Sequence, residues 1–190
     1  MKVFENTVPL RRIKLHNLNS YVVHSAVEKI ICGNADNVLT SYTYDPKVDV
    51  GSNEINVLVR SMESTGLPGE REIERNFSNG DVVEFEVNFV PIKTDFQSRR
   101  KVYVSDSIER AVKLHSYLER AGLDVDFVEE IIEEKRFFNK KDKHKFFITS
   151  VLCRVVAKIK DKASFEKAYV HGLGKKCTFG YGMIHLKEIA

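Results

Sequence analysis

The chain has 190 residues, of which 43% are hydrophobic and 30% charged, with ten glycines, four prolines and no tryptophan. This composition excludes a disordered or low-complexity protein, and no stretch approaches the ~18 uninterrupted apolar residues of a membrane span. The formal charge of +3 is small for a nucleic-acid binder, so a role of that kind requires the basic residues to be clustered.

Residues 1–12 lack the apolar run and small-residue cleavage site of a signal peptide. Cys32, Cys153 and Cys177 are odd in number and far apart, which predicts a reducing, cytoplasmic setting with no disulfide and no CxxC zinc site. The first strong periodicity is helical, over Ser20–Ile31. Wound at 100° per residue, Val23, Ala26, Val27 and Ile30 form the core stripe, and Tyr21, His24 and Glu28 fall together on the opposite, solvent-facing side. Tyr21 and His24 are related by i, i+3, close enough for their polar atoms to serve one site. Two readings of His24 stand on spacing alone: a surface histidine without a role, or an acid–base group.

Val38–Tyr44 and Glu54–Arg60 alternate as paired strands, with Asp45-Pro46 and Gly51-Ser52 supplying turn chemistry between them. Val83, Phe85, Val87 and Phe89 alternate against Glu84, Glu86 and Asn88 until Pro91 stops the strand. The short cluster Ser98-Arg99-Arg100-Lys101 follows. In the next helix, Ser107–Arg120, the apolar stripe reads Ile108, Ala111, Val112, His115 and Leu118, with capping oxygens at Ser105 and Asp106 and a stop at Gly122. That stripe makes His115 a core or interface residue. The acidic run Glu129–Glu134 reads as helical.

Between Lys135 and Lys145 the chain gathers Lys135, Arg136, Lys140, Lys141, Lys143 and Lys145 around the single acid Asp142. A long alternation follows, from Phe147 through Val151, Cys153 and Val155 to Ile159, so the basic segment is the tip of a β-hairpin. With Phe137 and Phe138 at its shoulder it can lie along a nucleic-acid groove, or it is simply a solubilising loop. His144 falls within it. His16, His171 and His185 stand in no i, i+4 pair and no HExxH context, so no metal site is expected.

After a third helix, Ala163–Val170, comes His171-Gly172-Leu173-Gly174-Lys175-Lys176-Cys177-Thr178-Phe179-Gly180-Tyr181-Gly182. It lacks the GK[ST] ending of a Walker loop, and no helix follows it as a dinucleotide fingerprint would require. It is either a plain helix-to-strand turn or a loop whose backbone and lysines approach a phosphate.

In order, the first half reads strand, helix, strand, strand, the Gly66 to Gly69 loop and a fourth strand; the second reads strand, helix, strand, hairpin strand, helix, strand. Two βαββαβ-like halves predict an α+β chain of two tandem ferredoxin-like domains. Residues 1–94 would carry the Tyr21/His24 helix, and residues 95–190 the basic hairpin and glycine loop, with the boundary near 92–104.

The glycine loop, with Met183-Ile184 after it, resembles that of the CRISPR repeat-processing endoribonucleases of the RAMP superfamily, and most closely those of the I-E subtype. Tyr21-x-x-His24 resembles that subtype's catalytic pair. Phe89-Val90-Pro91-Ile92-Lys93-Thr94, followed by a basic stretch and a helix, resembles its inter-domain region. The resemblance covers nearly the whole chain. Cys177 departs from it, standing where the family places a lysine, with Lys175 and Lys176 just before; the N-terminal strand is also hard to match.

The resemblance implies a metal-independent endoribonuclease, without cofactor, that cuts CRISPR repeat RNA on the 3′ side of its stem-loop by 2′-OH attack. It would stay on the product as a subunit of a Cascade-type interference complex, away from any membrane. His24 would be the acid or base, Tyr21 would orient the 2′-OH, and Lys176 would stabilise the phosphorane. RNA would be held by Lys93, Arg99, Arg100, Lys101, Lys135, Arg136, Lys140, Lys141, Lys143, Lys145, Gly172, Gly174, Lys175, Gly180 and Gly182, largely through phosphates of the A-form stem. Two alternatives remain from other classes: a non-catalytic RAMP subunit that grips RNA without cutting it, and a ferredoxin-like protein adaptor.

Overall fold

Strand alternation and helix periodicity build two separate apolar layers, seen in a computed structural model that describes residues 1–10, 19–34, 42–49, 54–140 and 144–187. His16, Lys141, Asp142, Lys143, the turn at Gly51-Ser52, the first residues of the expected 38–44 strand and the Cys32 side chain lie outside the described residues. In the first layer β1 (Lys2–Pro9), β2 (Tyr42–Asp49), β3 (Glu54–Ser61) and β4 (Arg71–Glu74) pair antiparallel in the order β2-β3-β1-β4. Ile55, Val57 and Val59 are buried on one face of β3. Against them packs α1 (Ser20–Asn34), whose Val23, Val27 and Ile31 recur every fourth residue as a core stripe must.

The second layer joins β5 (Val82–Phe89), β8 (Leu123–Lys140), β9 (His144–Ile159) and β10 (Ile184–Leu186) in the order β10-β5-β9-β8. Val83, Phe85, Val87 and Phe89 of β5 and Val151, Cys153, Val155, Ala157 and Ile159 of β9 share one buried face. It is covered by α2 (Ser107–Arg120) and α3 (Lys162–His171). Asp106 and Asp161 cap these helices by accepting backbone N–H bonds from Glu109 and from Ala163 and Ser164. Counting strands within each half, both sheets run fourth-first-third-second, the ferredoxin-like order. The first half makes its second crossover through the non-helical segment 62–70, and the second half carries an inserted ribbon, β6 (Ile92–Thr94) with β7 (Lys101–Tyr103).

Three expectations shift. A division at residues 94 and 95 leaves β5 in the first half, but β5 pairs with β9 along its whole length, and sheet membership changes between β4 and β5. The acidic run Glu129–Glu134 is strand, not helix. It belongs to β8, the sheet's edge, where a row of charges is tolerated because it deters pairing with another chain. On α2 the buried residues are Leu114 and Leu118, while Ile108 is 74% and Val112 65% exposed and His115 is exposed.

The halves are bolted together. Arg60 of β3 is 3% exposed; its Nε donates to Glu5 at 2.6 Å, and its Nη1 donates to the carbonyls of Tyr169 and Ile184 at 3.0 and 2.9 Å. His185 Nε2 lies 3.0 Å from Asp45 Oδ2, again across the two sheets. These contacts set the width of the cleft into which α1 and the glycine loop project.

Candidate active site

The cleft is built first at the N-terminus of α1. Asn19 Oδ1 accepts from the Tyr21 N–H at 3.0 Å, capping the helix, and from the Asn139 N–H at 2.9 Å; its Nδ2 donates to the Asn139 carbonyl at 2.6 Å. One side chain thus caps α1 and clasps it to the basic hairpin. Tyr21, on the first turn, packs against a cluster of Val90, Phe138, Ile148 and Tyr181.

His24 follows one turn later, its ring centroid 6.0 Å from that of Tyr21. It is half-buried rather than turned to solvent. Its imidazole stacks on Phe179 at 4.6 Å and 23°, with Tyr44 of β2 at 6.4 Å and 15°. Nδ1 is buried with no hydrogen-bond partner among the described residues. The aromatic slot fixes the ring without engaging that atom.

Facing His24 is the glycine loop. Gly172, Gly174, Gly180 and Gly182 all have positive φ, between 76° and 88°. The N–H groups of Gly172, Gly180 and Gly182 donate to the carbonyls of Ala168, Cys177 and Asn88. A Cβ at Gly180 would meet Tyr44 Cε2 at 2.7 Å, and one at Gly182 would collide with the Leu173 carbonyl. These glycines shape the loop so that Phe179 reaches His24. Cys177 tucks inside, its Sγ 3.7 Å from the Leu173 carbonyl, and burial pushes its thiol up to about 11. Lys176 brings a cation to the aromatic slot, its Nζ 5.0 Å from the Phe179 ring centroid. Its φ of 67° places a non-glycine residue in the left-handed region, at a cost of about 1–2 kcal/mol. Lys175 is exposed.

The basic residues divide into two groups. Lys140 stands 5.6 Å over the Tyr21 ring and Arg136 5.1 Å over Tyr181, so the turn end of the β8–β9 hairpin delivers both to the cleft. Lys135 sits over Phe147, and Lys145 lies at the exposed start of β9. The other group is on the β6–β7 ribbon: Lys93 pairs with Glu109 at 2.6 Å, Lys101 donates to Thr94, and Arg99 lies over the exposed Phe96, with Arg100 beside it. Only Ile92 at the ribbon's root reaches the aromatic cluster of the cleft. Sequence reasoning missed Asn19, Tyr44, Phe179 and Tyr181 as parts of the site. Asn19, immediately before a helical period, carried a capping signal; Phe179 and Tyr181 lay within the glycine loop but read as spacing.

A family model described as CRISPR associated protein matches residues 21–188. The chain belongs to this CRISPR-associated family. The match runs from the first turn of α1 through the glycine loop to β10 and leaves out β1. No curated protein matches the sequence. Among solved structures, this CRISPR-associated chain is similar to the CRISPR endoribonuclease Cse3 bound to a 19 nt RNA, with a TM-score of 0.79 and 14% identity over 97% of this chain and 98% of that one. It is also similar to Cas6e of Escherichia coli K-12, at TM-score 0.72, 19% identity and 98% of each chain. A third likeness is to a chain of a CRISPR RNA-guided surveillance complex in a pre-nicking state, at 0.72, 14% and 100% of each chain. All three cover both ferredoxin-like halves, so the tandem fold is that of Cse3 and Cas6e.

Proposed function

We propose that this CRISPR-associated chain is an endoribonuclease that cuts CRISPR repeat RNA beside its stem-loop and remains with the product in an RNA-guided surveillance complex. The observation that carries the reading is His24, held in an aromatic slot with Tyr21 one turn away, at a cleft rimmed by Lys140, Arg136 and Lys176. The fold shared with Cse3 and Cas6e supports it.

The chemistry is a transesterification within the RNA. The ribose 2′-oxygen attacks phosphorus and the bond from phosphorus to the 5′-oxygen breaks. One proton leaves the 2′-OH and one reaches the departing oxygen, giving a 2′,3′-cyclic phosphate and a 5′-OH. His24 moves one of these protons; because Nδ1 is buried, Nε2 is the nitrogen that meets the RNA. Tyr21 orients the 2′-OH. Lys176 supplies the positive charge next to the phosphorane that the family's lysine would supply at position 177, where Cys177 is half-buried and neutral. The hairpin lysines hold backbone phosphates, with the β6–β7 ribbon as a second contact for the stem.

Incubation with a repeat hairpin RNA in EDTA tests the reading. It predicts a single cut and no cut when the nucleotide upstream of the scissile phosphate is 2′-deoxy. Tight binding with intact RNA would identify a non-catalytic RNA-binding subunit instead, and equal cutting of the deoxy substrate would refute attack by the 2′-OH.

A further inference from the structure

Beside His24, between the two halves, is a cavity of about 500 Å³ lined by residues of α1, β2, β3, β8 and the glycine loop. Three of its walls are aromatic: Tyr44, Phe137 and Phe179. Its polar lining includes Arg136 and Glu134, which pair at 3.3 Å, and Lys135. Two donors there are unused among the described residues. Tyr44 is 1% exposed and its hydroxyl has no partner, and Arg136 Nη1 is buried without one. Burial pushes the Tyr44 phenol far above its ordinary value, so it stays a donor. Buried donors left open in a folded chain call for a ligand or water that accepts from them.

We infer that this cavity receives one unpaired nucleobase of the RNA, that of the nucleotide on the 3′ side of the scissile phosphate. The inference rests on the endoribonuclease reading for the position of that nucleotide. The chemistry of the walls selects the ligand class. Flat aromatic faces suit a planar heterocycle, Tyr44 and Arg136 donate to its ring nitrogens or carbonyls, and the Glu134 carboxylate accepts from an exocyclic amine. The volume admits one nucleotide. A purely apolar segment would leave Tyr44 and Arg136 unsatisfied.

The position matters as much as the chemistry. Phe179 and Tyr44 line the cavity and also flank the His24 imidazole. A base held against them places its own 5′-phosphate at His24. The base outside the stem then acts as the anchor that brings the reacting bond to the imidazole, and the stem alone would be held without that alignment.

The test uses a repeat hairpin whose first nucleotide 3′ of the scissile phosphate is 2-aminopurine, with a 2′-deoxy nucleotide upstream so that the RNA stays uncut. Stacking quenches 2-aminopurine. Binding to the wild-type protein should quench it several-fold, and Phe137→Ala should abolish most of the quench. Tyr44→Phe, which preserves the ring, should weaken binding of this RNA but not of an RNA abasic at the same position. The abasic RNA itself should bind wild type about 5- to 150-fold more weakly, the range for one lost base–aromatic stack. Unchanged or rising fluorescence on binding, or equal affinity for the abasic RNA, overturns the cavity's role. Unmodified RNA is assayed for cutting in parallel: quenching without cutting refutes the endoribonuclease reading and leaves the base pocket standing, whereas cutting without quenching refutes the pocket alone.

Discussion

Arg60 offers the sharpest test of how the two halves are held. Its guanidinium is buried, joined to Glu5 and to two carbonyls of the second half, and stacked 3.8 Å over the Tyr169 ring. Arg60→Met keeps much of the side-chain volume but removes the charge. It leaves the Glu5 carboxylate, only 16% exposed, without its cation, and the Tyr169 and Ile184 carbonyls without their donor. Breaking one partner of a buried pair costs about 3–5 kcal/mol, because the remaining charge stays desolvated. That is a large part of a total stability of about 5–15 kcal/mol. For a chain of this size each kcal/mol lowers the midpoint by about 2–4 °C, so Tm should fall by about 6–20 °C. Urea and thermal unfolding are followed by far-UV circular dichroism and by tyrosine fluorescence, since the chain has no tryptophan. Adding Glu5→Gln to Arg60→Met should recover part of the loss by removing the stranded charge. A loss under about 1 kcal/mol, or no recovery in the double variant, would refute the claim that Arg60 joins the halves.

Three further outcomes are expected. His24→Ala should slow RNA cutting by about 10²- to 10⁴-fold, the range for one acid–base group, with hairpin affinity retained in a gel-shift assay. Asn19→Ala removes both the α1 cap and the clasp to Asn139; it should lower stability by about 1–2 kcal/mol in urea titration and slow cutting, because α1 carries Tyr21 and His24. Cys177, with its thiol raised from 9.0 to about 11 by burial, should be alkylated by iodoacetamide at pH 8 about 100-fold more slowly in the folded chain than in urea, by peptide mapping. Because the folded value is the higher one, its contribution to stability is full below about 9 and is lost as pH rises through about 11.

Much of the site is legible in the sequence. Tyr21-x-x-His24 falls on one helix turn because i, i+3 spacing is a property of the backbone alone, and four glycines in GxG…GxG spacing announce a loop with positive φ. The basic hairpin follows from a lysine-rich segment flanked by residues that pair as β8 and β9. The aromatic slot was not legible. Phe179, Tyr44 and His24 lie on three elements far apart in sequence, and no local period links them.

The sequence by itself determined most element types, since alternation and the 3.6-residue period are local, with the acidic run Glu129–Glu134 the exception, and the order of those elements pointed to a ferredoxin-like plan. Tertiary structure decided which of two stripes on α2 is buried. Ile108, Ala111, Val112 and His115 satisfy the helical period with Leu118 as well as Leu114 does, yet of these only Leu114 and Leu118 are buried against the sheet. It also decided that β5 belongs to the second half, because strand pairing is a choice between distant partners that share the same alternation. His24 was settled in the same way. A helix face opposite the core stripe reads as solvent-facing until another element covers it, and here the glycine loop and hairpin cover it, turning a surface histidine into the centre of a cleft.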